Sequence, residues 1–225
     1  MTLKVMVFAA HPDDDIIGCG GSIAKHVMAG NRVSVCYMTS GDAGSLKYPG
    51  KRLAFIREAE ARRAAKVIGT SKLFFLRNPD GYLQCDKKNL EKATSLIRKE
   101  KPDIVYVHHA SDNHADHRAA YSIVSEAVGR AGSACFRQCG PKPWEARALL
   151  AYEVWTPMHD FNYSEDITGF MKKKMDALKQ HKSQISNVKY DEASEGLSRY
   201  RGIMHGSGKY AEVFRIVKTS CIWHI

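Results

Sequence analysis

Three consecutive aspartates follow a histidine and a proline near the start of the chain, in the segment His11-Pro12-Asp13-Asp14-Asp15. Carboxylates this close together repel each other unless a cation lies among them or one of them stays protonated. A turn that begins a helix would explain one aspartate, because Pro-Asp favours turns and Asp can cap a helix. It does not explain three beside a histidine, so the segment indicates a cation site.

A second group of histidines and aspartates follows an apolar run later in the chain. Its members are His108, His109, Asp112, His114, Asp116 and His117. His114 and His117 are three residues apart, so on the first turn of a helix they would lie near one face. An isolated histidine is more often a surface or core residue, but two such groups at predicted strand ends favour a metal site.

The residue types in the two groups fit zinc. A catalytic zinc keeps about three protein ligands and one position for water. His11, Asp14 and His117 would fill the three places, which leaves Asp13 close to the water. Asp116, next to His117, is a candidate to orient an imidazole. This arrangement predicts metal-assisted hydrolysis.

The elements that must position both groups follow from the surrounding pattern. Short apolar runs predict strands at Leu3–Ala10, Arg32–Met38, Lys72–Leu76, Asp103–His108 and Ala148–Trp155. Helical periodicity lies between them, in Leu53–Ile68, Leu90–Ile97 and Ala120–Ala127. This alternation predicts an α/β fold with a mostly parallel sheet covered by helices on both faces. Ligands bind such sheets at the carboxyl ends of the strands, where both groups fall.

The C-terminal part is less regular. Thr168–Lys182 and Asp191–Met204 have helical patterns, and Ala211–Val217 predicts a last strand. The segment 131–145 contains two glycines and two prolines and is the best candidate for a loop or insertion. The composition does not change enough on either side to mark a boundary, so we predict a single domain over residues 1–225.

The charge of the chain raises an alternative function. With 44% hydrophobic and 26% charged residues the chain is a folded protein, but its net charge of +10 is compatible with a nucleotide- or nucleic-acid-binding domain without hydrolase activity. The basic residues, including Lys172, Lys173 and Lys174, are interleaved with apolar residues, so solvated helix faces explain most of them. We therefore expect no functional nucleic-acid site. A metal-dependent hydrolase of phosphate esters is a third interpretation.

The six cysteines contain no C-x-x-C pair and predict free thiols in a reducing compartment. They are Cys19, Cys36, Cys85, Cys135, Cys139 and Cys221. The apolar run before His11 is too short for a signal sequence, and no apolar stretch reaches the roughly 18 residues that suggest a membrane span. These features predict a cytoplasmic protein with no membrane partner.

The two motifs, taken together, resemble those of the PIG-L/LmbE-like zinc-dependent N-acetylglucosaminide deacetylases. His11-Pro12-Asp13-Asp14 followed by an acidic residue, and His114-Ala115-Asp116-His117, carry the resemblance. It continues through Thr39–Asp42, Arg57–Glu60, Asn78–Gly81, His181–Gln184 and Tyr210–Glu212, and so covers nearly the whole chain. One motif alone would be weak evidence, but the set in this order is specific.

The resemblance implies a Rossmann-like three-layer domain and an amidohydrolase. Such an enzyme removes the N-acetyl group from an N-acetylglucosamine-type sugar or conjugate and releases acetate and a free amino sugar. The resemblance implies Zn²⁺ held by His11, Asp14 and His117. Asp13 would be the general base, and His114 would stabilise the oxyanion or pass a proton. Arg57 and Asp80 would hold the sugar.

Some features depart from the family pattern, and others leave the substrate undetermined. Asp15 stands where the family usually has the longer Glu, so we assign it no role. His181, by itself, is more often a helix-surface residue. The membrane segment of glycolipid-processing members is not found in this sequence, which favours a soluble amino-sugar substrate. We also expect a homo-oligomer, as is common in the family. A glucosaminyl thiol precursor, an aminoglycoside intermediate and a chitin disaccharide all stay open as substrates.

Overall fold

A seven-stranded sheet runs through the protein in the order β3-β2-β1-β4-β5-β7-β6. The computed structural model describes residues 2–206 and 208–219, so Cys221 lies outside the described residues. The strands are β1 (Lys4–Ala9), β2 (Arg32–Thr39), β3 (Lys72–Asn78), β4 (Ile104–His108), β5 (Ala148–Tyr152), β6 (Tyr163–Asp166) and β7 (Ala211–Thr219). The first five are parallel, and β7 and β6 add antiparallel pairs at one edge. The prediction of a mostly parallel sheet is confirmed.

Helices cover both faces of this sheet. They are α1 (Asp14–Met28), α2 (Gly50–Ile68), α3 (Lys87–Glu100), α4 (Ala115–Gly132), α5 (Met171–Leu178), α6 (Lys182–Ile185) and α7 (Tyr190–Met204). Successive residues of a strand point to opposite faces. In β1, Val5 and Val7 therefore pack with α1, α2 and α5, while Met6 and Phe8 pack with α3 and α4. The result is the predicted three-layer arrangement.

The centre of the sheet determines where a ligand can bind. β1 pairs with β2 on one side and with β4 on the other, so the chain order reverses between β1 and β4. In open α/β sheets, ligands bind outside the carboxyl ends of the strands at such a switch point. Both motifs from the sequence follow these two strands, because His11 comes after β1 and His108 ends β4.

The last third of the chain differs from the sequence-based expectation. β5 ends at Tyr152 rather than at Trp155, because the backbone N–H groups of Trp155 and Thr156 donate to Asp112 instead of a neighbouring strand. The helix expected over Thr168–Lys182 is broken. It consists of a 3₁₀ turn, α5 and, after a gap, the short α6.

The break between α5 and α6 has a tertiary cause. The backbone N–H of Ser183 donates to Glu60 of α2 at 2.9 Å, and its hydroxyl donates to the same carboxylate at 2.6 Å. These two bonds hold the segment against α2. Helical periodicity alone does not indicate such a long-range contact.

The edge strand β6 was also not expected. It has only four residues, and they are too polar to show a strand pattern.

The expectation that Lys174 lies on a solvated helix face is wrong. Its side chain is only 1% exposed, and its ammonium donates to Glu212 on β7 at 2.9 Å. The Glu212 carboxylate also accepts the backbone N–H groups of Gly21 and Ser22 on α1. This buried ion pair joins α5, β7 and α1.

Two further expectations concern the environment of the protein. Five cysteines within the described residues are free. In the same part of the chain, no helix combines the length and the apolar character needed to cross a membrane.

Lys174 gives a stability test with an internal control. Lys174→Met leaves the Glu212 carboxylate buried without its cation, and breaking a buried pair in this way costs about 3–5 kcal/mol. Lys172→Met removes only an exposed pair with Asp176, four residues on, so we expect less than about 0.5 kcal/mol. Urea unfolding monitored by circular dichroism measures both free energies. Equal losses in the two variants would contradict the role assigned to Lys174.

Candidate active site

Two imidazole nitrogens and one carboxylate oxygen converge at the switch point. His11 Nδ1 lies 3.1 Å from Asp14 Oδ2 and 3.2 Å from His117 Nε2, and the third side of the triangle, from His117 Nε2 to Asp14 Oδ2, is 3.4 Å. Ligands bound tetrahedrally at Zn–N and Zn–O distances of 2.0–2.1 Å would be about 3.3–3.4 Å apart. All three side chains are at least nine-tenths buried. The sequence-predicted ligands therefore form a triangle of the size that one small metal ion requires.

A tight turn between β1 and α1 places His11 and Asp14. The backbone N–H of His11 donates to Asp14 Oδ2 at 2.7 Å, which closes the turn. Asp13 lies between them with φ 125°, a region that residues with a side chain rarely adopt. Holding a non-glycine residue there costs on the order of 1–3 kcal/mol, and such strain is concentrated at functional sites.

Carboxylates hold the far nitrogen of each ligand imidazole. His11 Nε2 lies 2.9 Å from Asp80 Oδ1 and 3.2 Å from Asp116 Oδ2. His117 Nδ1 lies 3.1 Å from Asp112 Oδ1. Such contacts fix the orientation of a metal-binding imidazole and raise its basicity. Asp116, the residue expected to orient an imidazole, contacts the imidazole of His11.

Among the described residues, three further groups that contain a histidine are close enough to hold a metal ion. His108 belongs to one of them, but its Nε2 accepts the backbone N–H of Ala10 at 2.9 Å, so that lone pair is occupied. Burial and the neighbouring His117 lower the pKa of His108 to about 4, which keeps the ring neutral. The ring stacks on His117 with a centroid distance of 3.9 Å. His108 therefore supports His117 rather than binding a metal itself.

Asp14 is the charged residue on which these imidazoles converge. Burial alone would raise its pKa, but His117, His11 and His108 outweigh burial and hold the pKa well below its usual range. Asp14 is thus an anion in a buried position. A metal ion would add to the same compensation.

The two neighbouring aspartates have different surroundings. Burial raises the pKa of Asp13 to about 7, although Arg57 acts to lower it, with Arg57 Nη2 3.2 Å from Asp13 Oδ1. Burial also raises the pKa of Asp15 to about 7, and both oxygens of Asp15 accept the hydroxyl of Tyr37 at 3.1 Å. Asp15 therefore faces the core on the β2 side rather than the cleft.

His114 caps α4 beside the triangle of ligand atoms. Its Nδ1 accepts the backbone N–H of Asp116 at 3.2 Å. Burial lowers the pKa of His114, and His11 acts in the same direction, which favours the neutral ring. With Nδ1 accepting, the proton of the neutral ring is assigned to Nε2. His114 can thus donate a hydrogen bond from Nε2.

A cleft of about 120 Å³ lies over these residues. It contains Asp13, Arg57, Asp80 and His114, so the structure brings together most of the residues named from the sequence. Arg57 and Asp80 also have contacts within the site, because Arg57 donates to the Pro12 carbonyl at 2.8 Å and Asp80 accepts the backbone N–H of Ala43 at 3.0 Å.

The sequence did not indicate every residue of the cleft. Trp155, Gln184 and Tyr190 also line it, and they come from the irregular C-terminal part. Asp112 was visible in the second histidine group, but its contact with His117 depends on a loop whose course the spacing does not define. The motif around His181 gave the only signal for Gln184.

The expectation that His181 lies on a helix surface is wrong. It precedes α6 and is fully buried, and neither ring nitrogen has a hydrogen-bond partner among the described residues. Burial lowers the pKa of His181 to about 3, and Arg57 acts in the same direction. The bonds from Ser183 to Glu60 draw this segment into the core.

Several known proteins are similar to this chain in sequence and structure. The PIG-L family, described as GlcNAc-PI de-N-acetylase, matches residues 6–128. The diacetylchitobiose deacetylase of Thermococcus kodakarensis is 31% identical over 226 residues, covering 95% of this chain and 83% of that protein. An N,N'-diacetylchitobiose deacetylase from Pyrococcus horikoshii, solved with an inhibitor, has a TM-score of 0.86 and 29% identity and covers 95% of this chain and 83% of its own.

A second solved structure has the same fold. GalB, a 4-carboxy-2-hydroxymuconate hydratase from Pseudomonas putida, has a TM-score of 0.88 over the full length of both chains. Its identity to this chain is 23%, so the likeness concerns the fold alone. Taken together, the comparisons confirm the resemblance seen in the motifs. They favour an amide-hydrolysing enzyme over a nucleic-acid-binding domain.

Asp112 gives a test of the ligand geometry. Asp112→Asn removes the anionic partner of His117, and loss of such a partner typically weakens metal binding about 10- to 100-fold. Asp86→Asn, at the start of α3, is a matched control that should leave the affinity unchanged. Titration of metal-free protein with Co²⁺, followed by its visible absorption, measures both. The same affinity in both variants would show that Asp112 does not hold a ligand.

Proposed function

Because the chain belongs to the PIG-L family of GlcNAc-PI de-N-acetylases, we propose that it hydrolyses the acetamide of an N-acetylglucosamine-type sugar or sugar conjugate. The products are acetate and a free amino sugar. The observation that carries the proposal is the triangle of His11, Asp14 and His117, with Asp13 beside it in the same cleft.

Zn²⁺ is the cofactor that these donors suit best. Two imidazoles and one carboxylate are a common ligand set of catalytic zinc, which leaves a further position open. The ion, when bound, supplies Lewis acidity toward a water molecule and toward the acyl oxygen. The distances of 3.1–3.4 Å between the three ligand atoms support this assignment.

Asp13 acts as the general base in this proposal. Its pKa, raised to about 7, lies near working pH, where a base is most effective. Asp13 accepts a proton from the attacking water and later returns it to the amine nitrogen as the carbon–nitrogen bond breaks. Arg57 holds the carboxylate in place through the contact at 3.2 Å.

His114 stabilises the negative charge that develops on the acyl oxygen. The backbone N–H of Asp116 occupies Nδ1, so Nε2–H is the available donor. A donor that the fold holds in position is worth more than one in water, because it needs no reorientation during the reaction. This supports the oxyanion role over proton transfer.

Arg57 and Asp80 are proposed to hold hydroxyl groups of the sugar. Both line the cleft on the side of β2 and β3. Their contacts with Asp13 and His11 would let a bound sugar reinforce the geometry of the base and of one ligand. We propose a soluble amino-sugar substrate, a homo-oligomeric assembly and, from the free cysteines, a cytoplasmic location.

Adjacent aspartates provide the test of this function. Asp14→Asn removes an anionic ligand, so zinc content and acetate release should fall together. Asp13→Asn keeps nearly the same volume and all three ligands, so zinc should stay while kcat falls by about 10²- to 10⁴-fold with little change in KM. Zinc is measured by atomic emission, and acetate release is measured on a panel of N-acetylglucosamine conjugates.

Asp15→Asn is the control for this pair, since Asp15 faces Tyr37 outside the cleft and its replacement should leave zinc bound. If Asp13→Asn loses zinc while Asp14→Asn keeps it, the two roles are exchanged. Full activity in both Asp13→Asn and Asp14→Asn would mean that the reaction takes place elsewhere.

A further inference from the structure

A second cavity adjoins the catalytic cleft. It has a volume of about 320 Å³ and lies between α7, α1 and the strands β5 and β7. Its walls are mostly apolar and include Val154, Leu197 and Val213. None of the roles proposed above uses this space.

Three residues lie at the boundary between the cavity and the cleft. Ile17, Trp155 and Tyr190 line both the cleft and the cavity. The rings of Trp155 and Tyr190 meet edge to face with centroids 5.2 Å apart. Ile17 lies one helical turn beyond Asp13, so the cavity begins directly beside the proposed base.

The charged groups that line the cavity are already paired. Glu212 accepts the ammonium of Lys174 and backbone N–H groups of α1. Glu153 accepts the guanidinium of Arg201 at 2.6 Å and the backbone N–H of Met158 at 2.6 Å. A sugar ring needs unpaired polar partners for its hydroxyl groups, whereas a hydrocarbon chain needs none. The cavity therefore favours an apolar occupant.

The order of the strands indicates which part of a substrate reaches the cavity. Arg57 and Asp80 lie on the side of β2 and β3, and the cavity lies on the side of β5 and β7. The ligand triangle lies between them, at the ends of β1 and β4. An amide carbonyl carries two substituents on opposite sides, the amine nitrogen with its sugar and the acyl chain. With the sugar beside Arg57 and Asp80, the acyl chain points to the cavity.

We infer that this cavity binds the acyl chain of the substrate, so that the enzyme hydrolyses, besides N-acetyl sugars, N-acyl amino sugars whose acyl group is longer than acetyl. The inference rests on the proposed function and specifies its substrate class. The reaction stays balanced with water alone. Its oxygen joins the acyl carbon, the carbon–nitrogen bond breaks, and the proton goes to the amine, which gives a free carboxylate and the amino sugar.

The size of the cavity sets the chain length. An apolar cavity of about 150 Å³ holds one benzene molecule. A cavity of about 320 Å³ has room for roughly twice as many carbons, so acyl chains of about six to eight carbons fit inside it. Each methylene that is fully buried contributes up to about fourfold in affinity.

The first experiment compares acyl chains on one sugar. Zinc-loaded wild-type enzyme is assayed with N-acetyl-, N-butanoyl-, N-hexanoyl- and N-octanoylglucosamine by detection of the free amine. We expect kcat/KM to be at least tenfold higher for hexanoyl than for acetyl. Hydrolysis of acetyl alone would overturn the inference and leave the proposed function standing. Hydrolysis of none of them would overturn both.

The second experiment fills the cavity. Ala193→Phe places a ring at the cavity from the exposed side of α7, where folding should survive. Arg199→Phe adds the same ring to α7 at an exposed position outside the cavity and is the matched control. We expect Ala193→Phe to lower the ratio of hexanoyl to acetyl kcat/KM at least tenfold and Arg199→Phe to leave it unchanged. Equal ratios in the two variants would contradict the assignment.

A glycoside series distinguishes the acyl chain from an apolar aglycone. N-acetylglucosamine carrying methyl, butyl or hexyl at the anomeric oxygen presents its chain on the other side of the amide. For these substrates Ala193→Phe should act no differently from Arg199→Phe. Selective loss of the hexyl glycoside in Ala193→Phe would mean that the cavity binds the aglycone, and it would overturn the inference.

Discussion

The buried carboxylate of Asp14 sets the main constraint on this structure. One of its oxygens lies within 3.4 Å of nitrogens of three histidines, and its side chain is only 3% exposed. A buried charge is stable only when it is closely compensated. Because the His108 ring is neutral, the main compensation comes from His11, at the end of β1, and from His117, on the helix α4 that follows β4. The compensation therefore requires β1 and β4 to be neighbours. It also requires the three layers to exclude water from Asp14 and these histidines.

Three adjacent aspartates can coexist here because each has a separate partner. Arg57 from α2 meets Asp13, the imidazoles meet Asp14, and Tyr37 from β2 meets Asp15. The positive end of the α1 dipole lies at the same place and favours all three carboxylates. Residues that look equivalent in the sequence thus acquire three different environments, and only one of these suits a general base.

The sequence was informative where a local pattern and a long-range contact agree. The residues of the continuous apolar run in β1 pack on both faces of the sheet, so this run predicted the strand, and the two motifs at strand ends predicted the site. Lys174 and His181 are the counterexamples. Each is a polar residue on a locally polar segment, and each is buried by a contact with a distant element. Helical spacing does not indicate a partner as distant in sequence as Glu212 or Glu60, so these residues could not be placed without the fold.

The coordination of the bound metal is the most direct test of the three ligands. X-ray absorption at the zinc edge of the loaded protein measures the type, number and distance of the ligands. We predict a four-coordinate ion with nitrogen and oxygen ligands only, at about 2.0–2.1 Å, two of them imidazoles. A sulfur ligand near 2.3 Å would assign the metal to a cysteine. A single imidazole ligand would exclude His11 or His117 as a ligand. A sulfur ligand or a single imidazole would each contradict the triangle on which the proposed activity depends.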